Sequence, residues 1–217
     1  TEILRDLTGF GLSRAEYPMD LTQNQDVFVE VSGLLKACAV NLIKISGDLR
    51  LMNSGPSGGL SEIYLPDRQV GSSIMPGKVN PVIAECVAQT AMKIIAHDTA
   101  ITLAATSGQF ELNAFLPLIA DSLLESLDIL HNAVEIFRTA CIDGLSADPA
   151  SCRHHLEAST APALLLVPHI GYDAAAALAD ESRATGKTLR QLVQERHLLT
   201  PEIAERLFPS KPITPDP

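Results

Sequence analysis

From about Gln23 to Met52 the chain runs without a proline, and its apolar side chains recur at Val27, Val31, Leu34, Cys38, Leu42, Ile45, Leu49 and Met52. The steps are 4, 3, 4, 4, 3, 4 and 3. That is close to a heptad, the period of a helix packed along its length on other helices. Such a helix reaches about 45 Å at 1.5 Å per residue, longer than a small domain is wide. A second helix is expected from Pro81 to about Ala105. A third is expected from about Glu111 to Ile142, with Leu112, Phe115, Ile119, Leu123, Leu130, Val134, Phe137 and Cys141 on its buried side. Pro117 lies in its first two turns and is expected to kink it. Three long helices with wide apolar faces predict an all-α bundle. The composition agrees: 46% of residues are hydrophobic but only 4% are aromatic, with no tryptophan, so the core is aliphatic.

Between the first two helices, Ser54 to about Gly77 is rich in Gly, Pro and Ser and reads as a long loop, a feature that is usually functional or disordered. After the third helix, Asp143–Pro149 reads as a linker. Shorter helical patterns follow at about 150–160, 172–185, 189–195 and 201–207. Gly186 suits a helix C-terminus, and Thr200-Pro201 suits a cap followed by a first helical position. Residues 1–144 are thus expected to form a bundle segment and 145–217 a small helical domain. The four prolines of the tail 209–217 predict irregular chain.

The net charge is −10, from 26 acidic and 16 basic residues. No basic stripe exists to neutralise phosphates, so a nucleic-acid partner is not expected. Charged or polar residues break every apolar run well short of about 18 residues, so neither a signal peptide nor a membrane span is expected. Cys38, Cys86, Cys141 and Cys152 lie far apart with no Cys-x-x-Cys, which reads as reduced, mostly buried thiols of a cytoplasmic protein. The neighbours His154 and His155 would face different directions on a helix, and no metal site is expected from them.

The densest chemistry is in residues 71–81, Gly-Ser-Ser-Ile-Met-Pro-Gly-Lys-Val-Asn-Pro. Ser72 and Ser73 supply hydroxyls, Lys78 a cation and Asn80 a neutral donor. Gly71 and Gly77 permit a tight or moving turn, while Pro76 and Pro81 restrict it. Two hydroxyls, a cation and an amide suit a substrate with two carboxylates, held locally because the overall field is negative. The glycines and hydroxyls also imply a mobile loop over about 71–77 that orders on substrate.

That string resembles the signature of the aspartase/fumarase superfamily of lyases, Gly-Ser-Ser-x-Met-Pro-x-Lys-x-Asn-Pro, at every fixed position. Gly47-Asp48-Leu49-Arg50, Ser54-Gly55-Pro56 and Gly59-Leu60-Ser61-Glu62-Ile63 are similar to the segment before it. Ser107 to Asn113 resembles the helix start after it, and Pro168-His169-Ile170-Gly171-Tyr172 resembles part of the family's small C-terminal domain. In one departure, Ser57 stands where the family usually has arginine. The family's chains are about twice as long, and the first residue is Thr1, so the resemblance implies the C-terminal half of such a protein.

The resemblance implies reversible anti-elimination that releases fumarate, with no cofactor and no metal. It makes Ser72 the catalytic base, acting as an oxyanion, and lets Ser73 with the loop amides hold one carboxylate as charge develops on it. Lys78 and Asn80 would bind the other carboxylate. Glu85, one turn into the second helix, would pair with a histidine from a segment absent here. His97 and His169 match no catalytic position of the family and read as structural. The flanks Leu21-Thr22-Gln23-Asn24-Gln25-Asp26 and Glu62-Ile63-Tyr64-Leu65-Pro66 are similar to the aspartase branch, which implies L-aspartate as substrate. Gly108 to Phe115 leans toward fumarases, which leaves L-malate as the alternative, and a non-catalytic member such as a lens crystallin as a third. The resemblance further implies a homotetramer whose sites draw on three chains.

Overall fold

The computed structural model describes residues 1–69 and 71–209. The protein is all-α: among the described residues the extended structure amounts to two two-residue strands, β1 (Ile63–Tyr64) and β2 (Ser146–Ala147). The chain divides into two compact units, residues 1–52 with 65–145, and residues 53–64 with 146 onward.

The first unit holds two short helices, α1 (Glu2–Thr8) and α2 (Pro18–Gln23), and three long ones, α3 (Asp26–Met52), α4 (Val82–Ala105) and α5 (Leu116–Phe137). Helix α3 packs on α4, and α4 on α5. The α3 seam combines small residues with larger ones: Val29, Leu35, Leu42 and Ile43 pack on the buried core, and Leu49 is itself buried. Ser32, Ala39 and Ser46, spaced by seven, are buried along it, and Gln25, just before the helix, is buried too. Helix α4 answers with Ala84, Val87, Ala91, Ile94, Asp98 and Ile101, at alternating steps of three and four. Asp98 is tolerated inside because it is fully partnered: Ser32 Oγ donates to its Oδ1 at 2.8 Å and Lys36 Nζ to its Oδ2 at 2.6 Å. A buried carboxylate without such partners would carry a large desolvation cost.

Part of the near-heptad stripe of α3 lies outside this seam. Val27, Val31, Leu34 and Ile45 are exposed, Leu34 at 69%. The stripe therefore divides: Leu42 packs on the intrachain core and Leu49 is buried, while Val27, Val31, Leu34, Cys38 and Ile45 stay exposed.

Helix α5 departs from expectation at its start and along its buried side. It begins at Leu116, not near Glu111, because Gln109 and Leu112 form an isolated bridge. The buried Asn113 then turns the chain, donating through Nδ2 to the carbonyls of Ala104 and Ala105 and accepting the Phe115 N–H. Pro117 consequently sits in the first turn, where its missing N–H removes no helix hydrogen bond. Of the predicted buried side, Ile119, Leu123, Phe137 and Cys141 are buried, but Leu112, Phe115 and Val134 are exposed. The helix also ends in a π-turn, Arg138–Ile142.

The second unit contains α6 (Pro149–Ala158), α7 (Ala163–Ile170), α8 (Tyr172–Thr185), α9 (Leu189–Glu195) and α10 (Pro201–Leu207). Its core joins Leu166, Ala175 and Val193 with Leu178, Leu189 and Leu192. Gly186 ends α8 at φ +71°, and a Thr188/Gln191 capping box opens α9. Thr200 caps α10 with Pro201 following. Helix α7 is not anticipated by the sequence reading, since Pro168 lies inside it. The predicted irregular tail lies outside the described residues beyond Pro209.

Candidate functional site

Residues 71–81 form a loop with a closed neck in the first unit. The Gly71 N–H donates to the Lys78 carbonyl at 2.7 Å, and Asn80 Nδ2 donates to the Gly71 carbonyl at 3.3 Å. A side chain at Gly71 would have its Cβ 2.6 Å from the Lys78 carbonyl oxygen, so the neck closes only with glycine there. Gly77 turns the return arm at φ +78°. Pro81 then caps α4, and the chain enters the bundle.

Inside the loop, the Ser72 hydroxyl oxygen accepts the backbone N–H groups of Ile74 and Met75, each at 3.2 Å. Two N–H dipoles thus converge on one oxygen, an arrangement that favours negative charge on it. Ser73 and Lys78 are exposed, and Asn80 is half-buried. The neck gathers Gly71, Lys78 and Asn80, with Ser72 directly beside it.

Glu85 is in the first turn of α4, where a carboxylate complements the helix dipole. Its Oε1 lies 3.4 Å from Arg50 Nη2, in the last turn of α3. Glu85 also borders an open groove of about 500 Å³ with Val82, Cys86, Gln89 and Lys93. Arg50 is absent from the sequence-derived site. Its signal was available, because a basic residue in the last turn of α3 and an acidic one in the first turn of α4 both favour helix ends.

His97 is engaged within the bundle. The Ser126 hydroxyl gives its one proton to the Ser122 carbonyl, so it accepts from His97 Nδ1 at 2.9 Å. Glu125 approaches the other ring nitrogen and bonds Lys93, and that bond holds its carboxyl below the usual range. His155 pairs with Glu62 at 2.8 Å. Among the described residues no group of three His, Cys, Asp or Glu side chains could hold a metal ion, and no helix is long and apolar enough to cross a membrane. The cysteines correct the expectation of mostly buried thiols: Cys141 is buried, but Cys38 and Cys86 are exposed. Cys38 lies on the apolar stripe of α3 and Cys86 on the α4 face away from the seam. A cavity of about 430 Å³ in the second unit, walled by Leu156, Leu165, Leu189, Leu207 and Phe208, touches none of the five candidate residues.

A family model described as "Lyase" matches residues 1–96, and one described as "Fumarase C C-terminus" matches residues 165–212. An aspartate ammonia-lyase of Bacillus subtilis (strain 168) is 45% identical over 199 residues, covering 92% of this chain and 42% of that protein. A fumarate hydratase class II of Corynebacterium glutamicum is 44% identical over 191 residues, covering 88% of this chain and 40% of that protein. A crystal structure of a fumarate lyase:delta crystallin from Brucella melitensis superposes with a TM-score of 0.87 at 41% identity, covering 94% of this chain and 44% of that one. The chain spans less than half the length of the relatives it matches.

Proposed function

This chain belongs to the aspartase/fumarase superfamily of lyases, and from that membership we propose that it carries the base-bearing loop of an aspartate ammonia-lyase. The observation that carries the reading is the Ser72 oxygen facing the Ile74 and Met75 N–H groups. An ordinary serine is a poor base, and a pair of fixed donors lowers the cost of its alkoxide form. In this reading Ser72 takes the proton from the carbon beside one carboxylate of L-aspartate. Ser73 and the loop amides hold that carboxylate as it gains enediolate charge. Lys78 and Asn80 hold the other carboxylate. The electron pair then expels ammonia from the adjacent carbon, leaving fumarate.

Glu85, in the same reading, orients a histidine from a segment outside these 217 residues, and residues 1–144 and 145–217 act as bundle segment and small domain. The site is completed by copies of the same chain in a homotetramer, and the chain alone is inactive. The similarity to a fumarate hydratase class II supports a second reading with L-malate as substrate. The test is fumarate absorbance with the full-length protein, first on L-aspartate and then on L-malate. Turnover of L-aspartate is expected; turnover of L-malate alone selects the second reading; turnover of neither leaves a non-catalytic member. Purified residues 1–217 that turn L-aspartate into fumarate unaided would show that the site is misplaced.

A further inference from the structure

The incoming arm of the Ser72 loop is held by a contact that the chemistry above does not use. Arg68, three residues before Gly71, donates through Nε to the Ala140 carbonyl at 2.8 Å and through Nη2 to the Thr139 carbonyl at 3.3 Å. Both carbonyls belong to the π-turn that ends the α5 rod. The turn stops at Asp143, so these are carbonyls of a helix's last turn, which need donors from outside, and a planar guanidinium is shaped to meet two adjacent oxygens. Two residues earlier, Pro66 packs on Gly144, where an added Cβ would lie 3.3 Å from the proline ring. The return arm arrives at the same place: Pro81, Val82 and Ile83 line a small space together with Pro66, Arg68, Ala140 and Cys141.

We propose that Arg68 is a positioning residue for the lyase reaction, clamping the loop's incoming arm to the π-turn of the bundle so that Ser72 is presented in one place. The proposal rests on the reading of Ser72 as base. The neck bond from Gly71 to Lys78 holds the two arms to each other, while Arg68 and the Pro66 contact tie the incoming arm to the rod. Without the guanidinium the neck remains closed while the loop pivots on α4. Errors of about 1 Å in a reacting group cost up to about 100-fold in rate.

The full-length protein with Arg68→Ala is compared with wild type by peptide-resolved hydrogen exchange and by steady-state kinetics. Exchange over residues 71–78 is expected to rise at least about 10-fold, with α4 and α5 unchanged, because loop protection tracks local opening. The turnover number kcat is expected to fall about 10- to 100-fold while KM stays within about twofold. Arg68→Lys, which keeps a donor able to reach one carbonyl, restores part of both effects. Arg68→Gln replaces the alanine variant if that one loses helix content. Identical loop exchange in wild type and variant overturns the clamp. Faster exchange with unchanged kcat also overturns the proposal, leaving Arg68 a structural anchor. If the wild type turns over neither L-aspartate nor L-malate, the lyase reading fails, and the exchange arm still decides whether the clamp exists.

Discussion

At the scale of single residues, a hydroxyl and an ammonium in one loop are expected to behave differently when removed. In the full-length protein Ser72→Ala should lower kcat by about 10²–10⁴ with little change in KM, since a general base acts chiefly in the transition state. Lys78→Ala should raise KM as well, because a carboxylate partner acts in ground and transition states alike. Steady-state kinetics on both variants decide the matter, and Ser72→Ala raising KM alone would move Ser72 to a binding role. A second residue-level expectation concerns pH and the second unit. Asp148 caps α6, accepting from Ala150 and Ser151, and takes a bond from the Tyr64 hydroxyl at 2.8 Å. The Tyr64 bond first, and the Ser151 N–H next, hold its carboxyl below the ordinary value of 3.8. A depressed folded-state pKa adds stability that is complete above the unfolded value and is lost as pH falls through the folded one. Asp148→Asn should therefore lower Tm by a few degrees at neutral pH, and that difference should close below about pH 4. A difference in Tm that does not change with pH would remove the charge from the argument.

At the scale of elements, the packing of α3 against α4 depends on side chains that are small. Ala39 is fully buried against Ala91 and Ile94, so Ala39→Leu forces extra carbon atoms into a seam with no room for them. Overpacking of this kind costs about 1–3 kcal/mol, and urea unfolding should show a lower midpoint with an unchanged slope. An equal midpoint would mean that the seam relaxes. The periodicity of α3 is legible, but only part of it faces the intrachain core: Leu42 packs there and Leu49 is buried, while Val27, Val31, Leu34 and Ile45 are exposed. Large apolar side chains dominate any reading by hydrophobicity, while Ser32, Ala39 and Ser46 carry little weight although they define the contact. The start of α5 was misread for a related reason. An amphipathic pattern runs through Leu112 and Phe115, but the Asn113 side chain ends the preceding turn by taking two carbonyls of α4.

At the scale of the whole molecule, the exposed apolar stripe on α3 is more than a monomer of three long helices covers. Val27, Val31, Leu34 and Ile45 are accompanied on α5 by Leu124 and Leu127. Apolar surface of this extent along rods favours burial against further helices, and closed symmetric assembly is the usual outcome. The full-length protein is expected to run as a tetramer in light scattering, and Leu34→Glu, at a position with 69% exposure here, should shift it to smaller species. A monodisperse wild-type monomer would overturn the assembly.

Residue order alone determined the long helices, the caps at Gly186 and Thr200, the loop between α3 and α4, and the membership of the chain in its superfamily, because each rests on local spacing or on a contiguous string. What the tertiary structure decided lies between segments far apart in the chain. It chose which face of α3 meets α4, paired Arg50 with Glu85, and brought Arg68 to carbonyls more than seventy residues away. Such contacts depend on how helices settle against one another once their small residues allow close approach, and a one-dimensional pattern holds no record of that distance.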